Sequence, residues 1–166
     1  AQAQQRIAAL ETQGATIDVV QGDVTDGEAI AALLQGIRAK GLSLKGVFHA
    51  AGVLQDGLLR QQSWEQFAQV LAPKVQGAWH LHRLTQTDDL DCFVMFSSVA
   101  SLLGSPGQAN YAAANAFLDA LAHQRQGQGL AALSINWGPW ASEGMAIQDS
   151  DRLQNRLVRS GFDLIE

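Results

Sequence analysis

The sequence predicts a doubly wound α/β domain, in which helices flank a parallel sheet. Three observations carry that expectation. Short β-branched or apolar runs alternate with longer helical segments, the rhythm of a parallel α/β fold. One run, DCFVMFSS (91–98), is almost continuously apolar, as a central strand covered on both faces would be. And 166 residues, 47% of them hydrophobic, are enough to bury the core of one domain.

The elements follow in order. Residues 1–13 read as a helix closed by Gly14 at a C-cap position. ATIDVVQ (15–21) reads as a short strand. Asp26 caps a helix over roughly 27–40, with Ala29, Ile30, Leu33, Leu34 and Ile37 as its apolar stripe. LKGVFHA (44–50) is the next strand, opening into the glycine turn AAG. A long helix follows from about Ser63 to Gln86, where Trp64, Phe67, Leu71, Val75, Ala78 and His82 recur on one face. After the central strand, a glycine-containing loop over 102–110 leads to a helix over 111–126. AALSINW (131–137) is the fourth strand, and 150–160 a polar amphipathic helix.

Composition excludes several classes. Charged residues make up 16%, against roughly 25% in ordinary soluble domains, which suits a surface packed on other protein. A net charge of −5 without Lys/Arg clusters argues against a phosphate-backbone binder. The single cysteine, Cys92, excludes a disulfide scaffold and reads as a buried, inert thiol. His80 and His82 lie two apart on a helix and His49 has no partner at ligand spacing, so no metal site is expected. No run approaches the ~18 apolar residues of a membrane span, and the start lacks a signal peptide's basic region. A cytoplasmic location is the default.

Two features look wrong for a complete domain. The chain begins inside a helix, and no strand-to-helix turn has the GxGxxG pattern that seats a dinucleotide's pyrophosphate at a helix N-terminus. The expectation is therefore an incomplete Rossmann-like sheet, truncated at both ends. In the order 3-2-1-4-5-6 the four strands would be numbers three to six. The strands between 15–21 and 44–50 would then be missing, leaving open edges and a chain that folds poorly alone.

Chemistry-bearing residues gather at the carboxyl ends of strands, which border the ligand crevice of such sheets. Ser97 and Ser98 end the central strand. Thirteen residues on stands Tyr111, the only tyrosine, with Asn115 at i+4 on the same helical face. Lys74 is the one lysine of three that lies in an apolar helical stripe. A phenol beside a cation is a proton donor of lowered pKa, and a serine hydroxyl can hold a carbonyl oxygen as charge develops. That equipment suits ketone reduction, with hydride supplied by a cofactor. The bland alternatives are a core tyrosine with a satisfied hydroxyl, serines that end a strand, and a lysine that snorkels to water.

Taken together, HAAGV, FSSVASLLGSPGQANYAAANAFLDALA and INWGPWASEGM resemble the ketoreductase domain of a modular type I polyketide synthase, within the short-chain dehydrogenase/reductase superfamily. The resemblance spans essentially the whole chain, with fatty-acid-synthase ketoreductases as the nearest alternative. It implies that Tyr111 is the proton donor, that Ser98 is its partner at the substrate carbonyl, and that Lys74 and Asn115 assist. Most short-chain dehydrogenases carry lysine four residues after the tyrosine; here Asn115 stands there and the lysine arrives from the previous helix. That exchange is the pattern of polyketide synthase ketoreductases.

The resemblance further implies NADPH as cofactor. Asp23 and Val24 match the adenine position, Ala50, Ala51 and Gly52 the turn beside ribose and nicotinamide, and Asn136, Gly138 and Pro139 the segment after the fourth strand. Trp140 to Met145 would begin a mobile lid, with Met145 among the residues that orient substrate. In the family, an LDD motif accompanies one hydroxyl configuration and a tryptophan eight residues before the tyrosine the other. Here the loop reads Leu54-Gln55-Asp56 and that earlier position is Leu103, which implies a B-type, D-hydroxyl product. The implied partners are an acyl carrier protein bearing the β-ketoacyl thioester, neighbouring synthase domains and the missing half of the reductase, with no nucleic acid and no membrane. A non-catalytic scaffold is the rival reading; it predicts loss of Tyr111, Ser98 or Lys74, and all three are present.

Overall fold

A computed structural model describes residues 2–140 together with Gly161 and Ile165. The elements run α1 (Gln2–Thr12), α2 (Gly27–Ala39), β1 (Gly46–His49), α3 (Trp64–Leu71), a π-helical turn (Ala72–Gln76), α4 (Gly77–Leu84), β2 (Cys92–Ser98), α5 (Ala100–Leu103), α6 (Ala109–Gly127) and β3 (Leu133–Trp137). The three strands form one parallel sheet in the order β1-β2-β3. Val47 lies opposite Phe93 and Ser98 opposite Trp137, so the carboxyl ends of all three strands reach the same edge.

The predicted helix starts hold. Asp26 accepts from the Glu28 and Ala29 amides of α2, and Ser63 and Gln66 form a reciprocal capping box at α3. The long helix expected over 63–86 is interrupted by the π turn. Pro73 has no N–H and its ring crowds the carbonyl one turn earlier, so a widened turn is the local solution. Trp64, expected on the buried stripe, is 71% exposed and stacks on Phe67. The inward positions are Val70, Lys74, Ala78 and His82, at four-residue spacing.

The core lies between one face of the sheet and the helices behind it. Val47, Phe93 and Met95 pack against Ala78 of α4 and Leu118, Leu121 and Ala122 of α6. Arg125 is buried in the same layer: its guanidinium sits 3.9 Å from the Phe93 ring centroid, and its Nε donates to the Ala131 carbonyl. Such a cation survives burial because its donors and its flat face are both matched.

Two expectations are corrected. The segment 15–21 forms no strand: Val19 and Val20 are 76% and 61% exposed, and no ladder partner lies beside them among the described residues. A strand without a neighbour has nowhere to place its backbone bonds. Cys92 is partly exposed rather than buried. The expected helix over 150–160 lies outside the described residues. Among the described residues no helix is long and apolar enough to cross a membrane, and none of their His, Cys, Asp or Glu side chains cluster in threes as a metal site would need.

Candidate active site

The site forms where β2 ends and α6 begins, with the π turn beneath. Lys74 is 2% exposed, and its Nζ donates a 2.8 Å hydrogen bond to the Phe96 carbonyl on β2. The same Nζ lies 5.5 Å from the centroid of the Tyr111 ring. Burial pulls the Lys74 pKa down to about 8, opposed by the Asp119 carboxylate. The ammonium is thus the main form at neutral pH, held beneath the phenol by a main-chain oxygen.

Tyr111 carries a correction. A neighbouring cation was expected to lower its pKa; instead it is raised. Burial is the largest cause, the Asp56 charge adds to it, and hydrogen bonding with the Ser98 and Asn115 side chains offsets only part. Lys74 does not reverse this: its Nζ donates to the Phe96 carbonyl below the ring and makes no hydrogen bond to the hydroxyl. The consequence is a phenol that stays protonated and available as an acid.

The Ser98 hydroxyl accepts from the Ala100 amide at 3.2 Å, which leaves its own proton to donate. Asn115 is fully buried. Its Nδ2 donates to the Tyr111 carbonyl, one turn back, while its Oδ1 has no partner. Ser97 points away from the site and donates to the Asn115 carbonyl, tying β2 to α6.

Behind these residues Asp119 organises the carboxyl ends of β2 and β3. It accepts from Ser134 at 2.6 Å and from Asn136 at 2.9 Å, and it also accepts from Ser101. Burial alone would raise its pKa, but the hydrogen bonds from Ser101, Ser134, Asn136 and Ser97 win and hold it low. The Asn136 side chain, predicted at the cofactor, is committed to this network, with a further bond to the Ser98 carbonyl.

A second set of bonds fixes the loop after β1. Gln108 donates to both carboxylate oxygens of Asp56, at 3.1 and 3.0 Å; Gly57 N–H donates to the Gly107 carbonyl; and Asn110 donates to the Gln55 carbonyl. The loop bearing Asp56 is thereby clamped to the segment that leads into Tyr111. Leu103 ends α5 and is 68% exposed.

Of the predicted cofactor residues, Ala50, Ala51 and Gly52 follow β1 and Gly138 and Pro139 follow β3, at the same sheet edge. Val24 packs against Gly77, where an added Cβ would lie 2.8 Å from a Val24 methyl; the Asp23 carboxylate accepts from Thr25 N–H at 2.9 Å. Met145 lies outside the described residues. Sequence reasoning missed Asp119, Gln108 and Asn110, although all three stand in the segment GQANYAAANAFLDALA.

The KR domain family model matches residues 1–142. The chain belongs to the KR domain family. Among its relatives, polyketide synthase GfsB of Streptomyces halstedii is 51% identical over 153 residues, 92% of this chain and 3% of that protein. The phenolphthiocerol synthesis polyketide synthase Pks15/1 of Mycobacterium marinum is 46% identical over 93% of this chain and 7% of its own. The KR domain thus spans only a few per cent of the curated relatives it matches. Among solved structures, A-type ketoreductases from a modular polyketide synthase superpose with a TM-score of 0.90 at 43% identity, covering 96% of this chain and 33% of theirs. The ketoreductase from the first module of phoslactomycin biosynthesis in Streptomyces sp. HK803 gives 0.86 at 42% identity, over 92% and 35%. This KR domain shares the Rossmann-like parallel sheet of these neighbours.

Proposed function

We propose that residues 1–166 belong to the catalytic subdomain of a ketoreductase that uses NADPH to reduce the β-keto group of an acyl-carrier-protein-bound thioester. Residues Ala50, Ala51, Gly52, Gly138 and Pro139, with Asp23 and Val24 towards the adenine, would hold the nucleotide. The fit rests on the common sheet edge they share and on two buried polar atoms there without partners, Asn115 Oδ1 and Trp137 Nε1. When bound, the nicotinamide supplies hydride to the β-carbon. Asn136 contributes through the Asp119 network, by fixing the end of β2.

Tyr111 donates its phenolic proton to the carbonyl oxygen, and Ser98 holds that oxygen with the hydroxyl proton its amide-accepting geometry leaves free. The Lys74 ammonium, 5.5 Å from the ring, stabilises the phenolate that remains. Asn115 keeps the Tyr111 turn in place through its 2.8 Å bond. The observation that carries this reading is the meeting of Tyr111, Ser98 and a buried Lys74 at one strand end. The product is the β-hydroxyacyl thioester, of D configuration on the evidence of Asp56 and Leu103, with Met145 in the substrate lid. The setting is a cytoplasmic multidomain synthase, with its neighbouring domains and the other half of the reductase as partners. Reduction by these 166 residues alone is not expected, since no phosphate-seating turn is among them.

The test is Tyr111→Phe in a complete reductase domain. Turnover of a β-ketoacyl thioester should fall by about 10²–10⁴ while NADPH binding, read by nicotinamide fluorescence, is kept. Undiminished turnover sinks the assignment.

A further inference from the structure

Asp119 follows Tyr111 and Asn115 along α6 at four-residue steps, so the three share one face of the helix. Its carboxylate gathers hydrogen bonds from two other elements. Oδ1 accepts from the Ser134 hydroxyl of β3 at 2.6 Å, and Oδ2 accepts from Asn136 of β3 at 2.9 Å and from the Ser101 hydroxyl of α5. Ser101 gives its one proton to Asp119, so its oxygen accepts from Asn136 Nδ2, at 2.8 Å. Three donors converging on one side chain suit an ionised carboxylate, which accepts at both oxygens and donates nothing.

Element α5 needs such an anchor. It is a single turn, Ala100–Leu103, too short to persist by helix propagation. Leu102 and Leu103 are 69% and 68% exposed and add little packing, whereas Ser101 ties the turn to α6. The residue before it, Ala100, supplies the N–H that the Ser98 hydroxyl accepts at 3.2 Å. Where Ser101 is held therefore decides where that amide points, and with it the direction in which Ser98 presents its own proton. From the other side, Asn136 Nδ2 lies 3.3 Å from the Ser98 carbonyl.

We propose that Asp119 is a positioning residue for the reduction: it anchors α5 through Ser101 and the end of β3 through Ser134 and Asn136, and so fixes the Ala100 amide that aims the Ser98 hydroxyl. The inference rests on the reading of Ser98 given above, as the group that holds the carbonyl oxygen. Hydrogen bonds outweigh burial and keep the Asp119 carboxyl below the usual range, so the anchor stays ionised at neutral pH. An asparagine of the same shape would turn an amide donor towards one of these donors and loosen the turn.

The experiment is a double-mutant cycle in the complete reductase domain, with turnover counted per folded molecule. Asp119→Asn should lower kcat about tenfold when Ser98 is present and by less than about twofold in a Ser98→Ala background, because both residues act through one hydroxyl. A carboxylate that served stability alone would cost the same factor in both backgrounds. Hydrogen exchange at the amides of residues 100–104, read by mass spectrometry, should quicken about tenfold in Asp119→Asn and in Ser101→Ala as the turn loses its anchor. Ser101→Ala removes a single donor and carries the same cycle if Asp119→Asn fails to fold. Equal losses in the two backgrounds, an unchanged kcat, or unchanged exchange in the folded variant overturns the proposal. Full turnover in Ser98→Ala alone would instead sink the catalytic reading of Ser98, while the exchange rates would still show whether Asp119 holds α5.

Discussion

Lys74 on the π turn and Phe96 on β2 are joined by a 2.8 Å hydrogen bond from ammonium to carbonyl, the one side-chain bond that Lys74 makes across to the sheet. It uses the charge's donor capacity inside the protein and leaves the field of that charge under the Tyr111 ring. The pH response of the reaction follows from it.

Only the ammonium form of Lys74 stabilises a phenolate, and its pKa is lowered to about 8. Reduction should therefore decline as pH rises through about 8, well before an ordinary lysine would titrate. A kcat–pH profile checks this. Lys74→Arg, which stays charged throughout, should remove the alkaline limb even where its absolute rate is lower.

Acid should weaken the fold through its buried histidines. His49 has a folded-state pKa of about 4 against 6.5 for an ordinary histidine, and His82 is lowered in the same direction by burial and then by Arg125. A depressed folded pKa contributes stability that is present above the unfolded value and lost as pH falls through the folded one. For His49 that window runs from 6.5 down to about 4 and is worth on the order of 3 kcal/mol. Urea midpoints of the complete domain measured across this range should fall, and His49→Asn should flatten the slope.

Arg125 should matter for stability and little for chemistry. Its side chain lies over Phe93 at 3.9 Å, donates to the Ala131 carbonyl at 3.0 Å and contacts His82 at 3.1 Å. Arg125→Ala leaves a cavity and an unpaired buried carbonyl, a loss of about 3 kcal/mol by urea titration. Turnover per folded molecule should stay within about twofold, because no contact of Arg125 reaches Tyr111, Ser98 or Lys74.

The clamp between Asp56 and Gln108 ties the loop after β1 to the segment before Tyr111. Chiral chromatography of the reduced β-hydroxyacyl product should show the D configuration. Asp56→Ala frees Gln108 and should erode that preference while the total rate changes less. An L product from the unaltered domain would overturn the B-type reading.

Much of the site was legible because its residues stand in contiguous motifs. Tyr111 and Asn115 share a helical face by spacing alone, and Ser98 ends an apolar run whose central place in the sheet its composition announces. Lys74 could be placed on the inward stripe of a helix, and it is there. Other features depend on distant backbone. Pro73 marks a break in helix geometry, but a widened turn rather than a stop follows only from how the chain packs on the sheet. His49 looked idle in the sequence because its buried neighbour, Gly77, lies well down the chain on another element. The raised pKa of Tyr111 is likewise a matter of burial, which spacing does not report. The segment 15–21 shows the converse: β-branched residues favour a strand, yet a strand exists only where a neighbour supplies its hydrogen bonds.

The widened turn at Ala72–Gln76 also sets how this region can tolerate change in length. Successive helical residues are rotated by about 100°, so losing a single codon within the turn would let an ordinary α-helix run through. Trp64 and its neighbours would swing about that far around the axis relative to His82, with the capping box and the sheet untouched. Substitutions here are a question of packing; a one-residue deletion is a question of phase, and it would separate the lysine from the tyrosine without removing either.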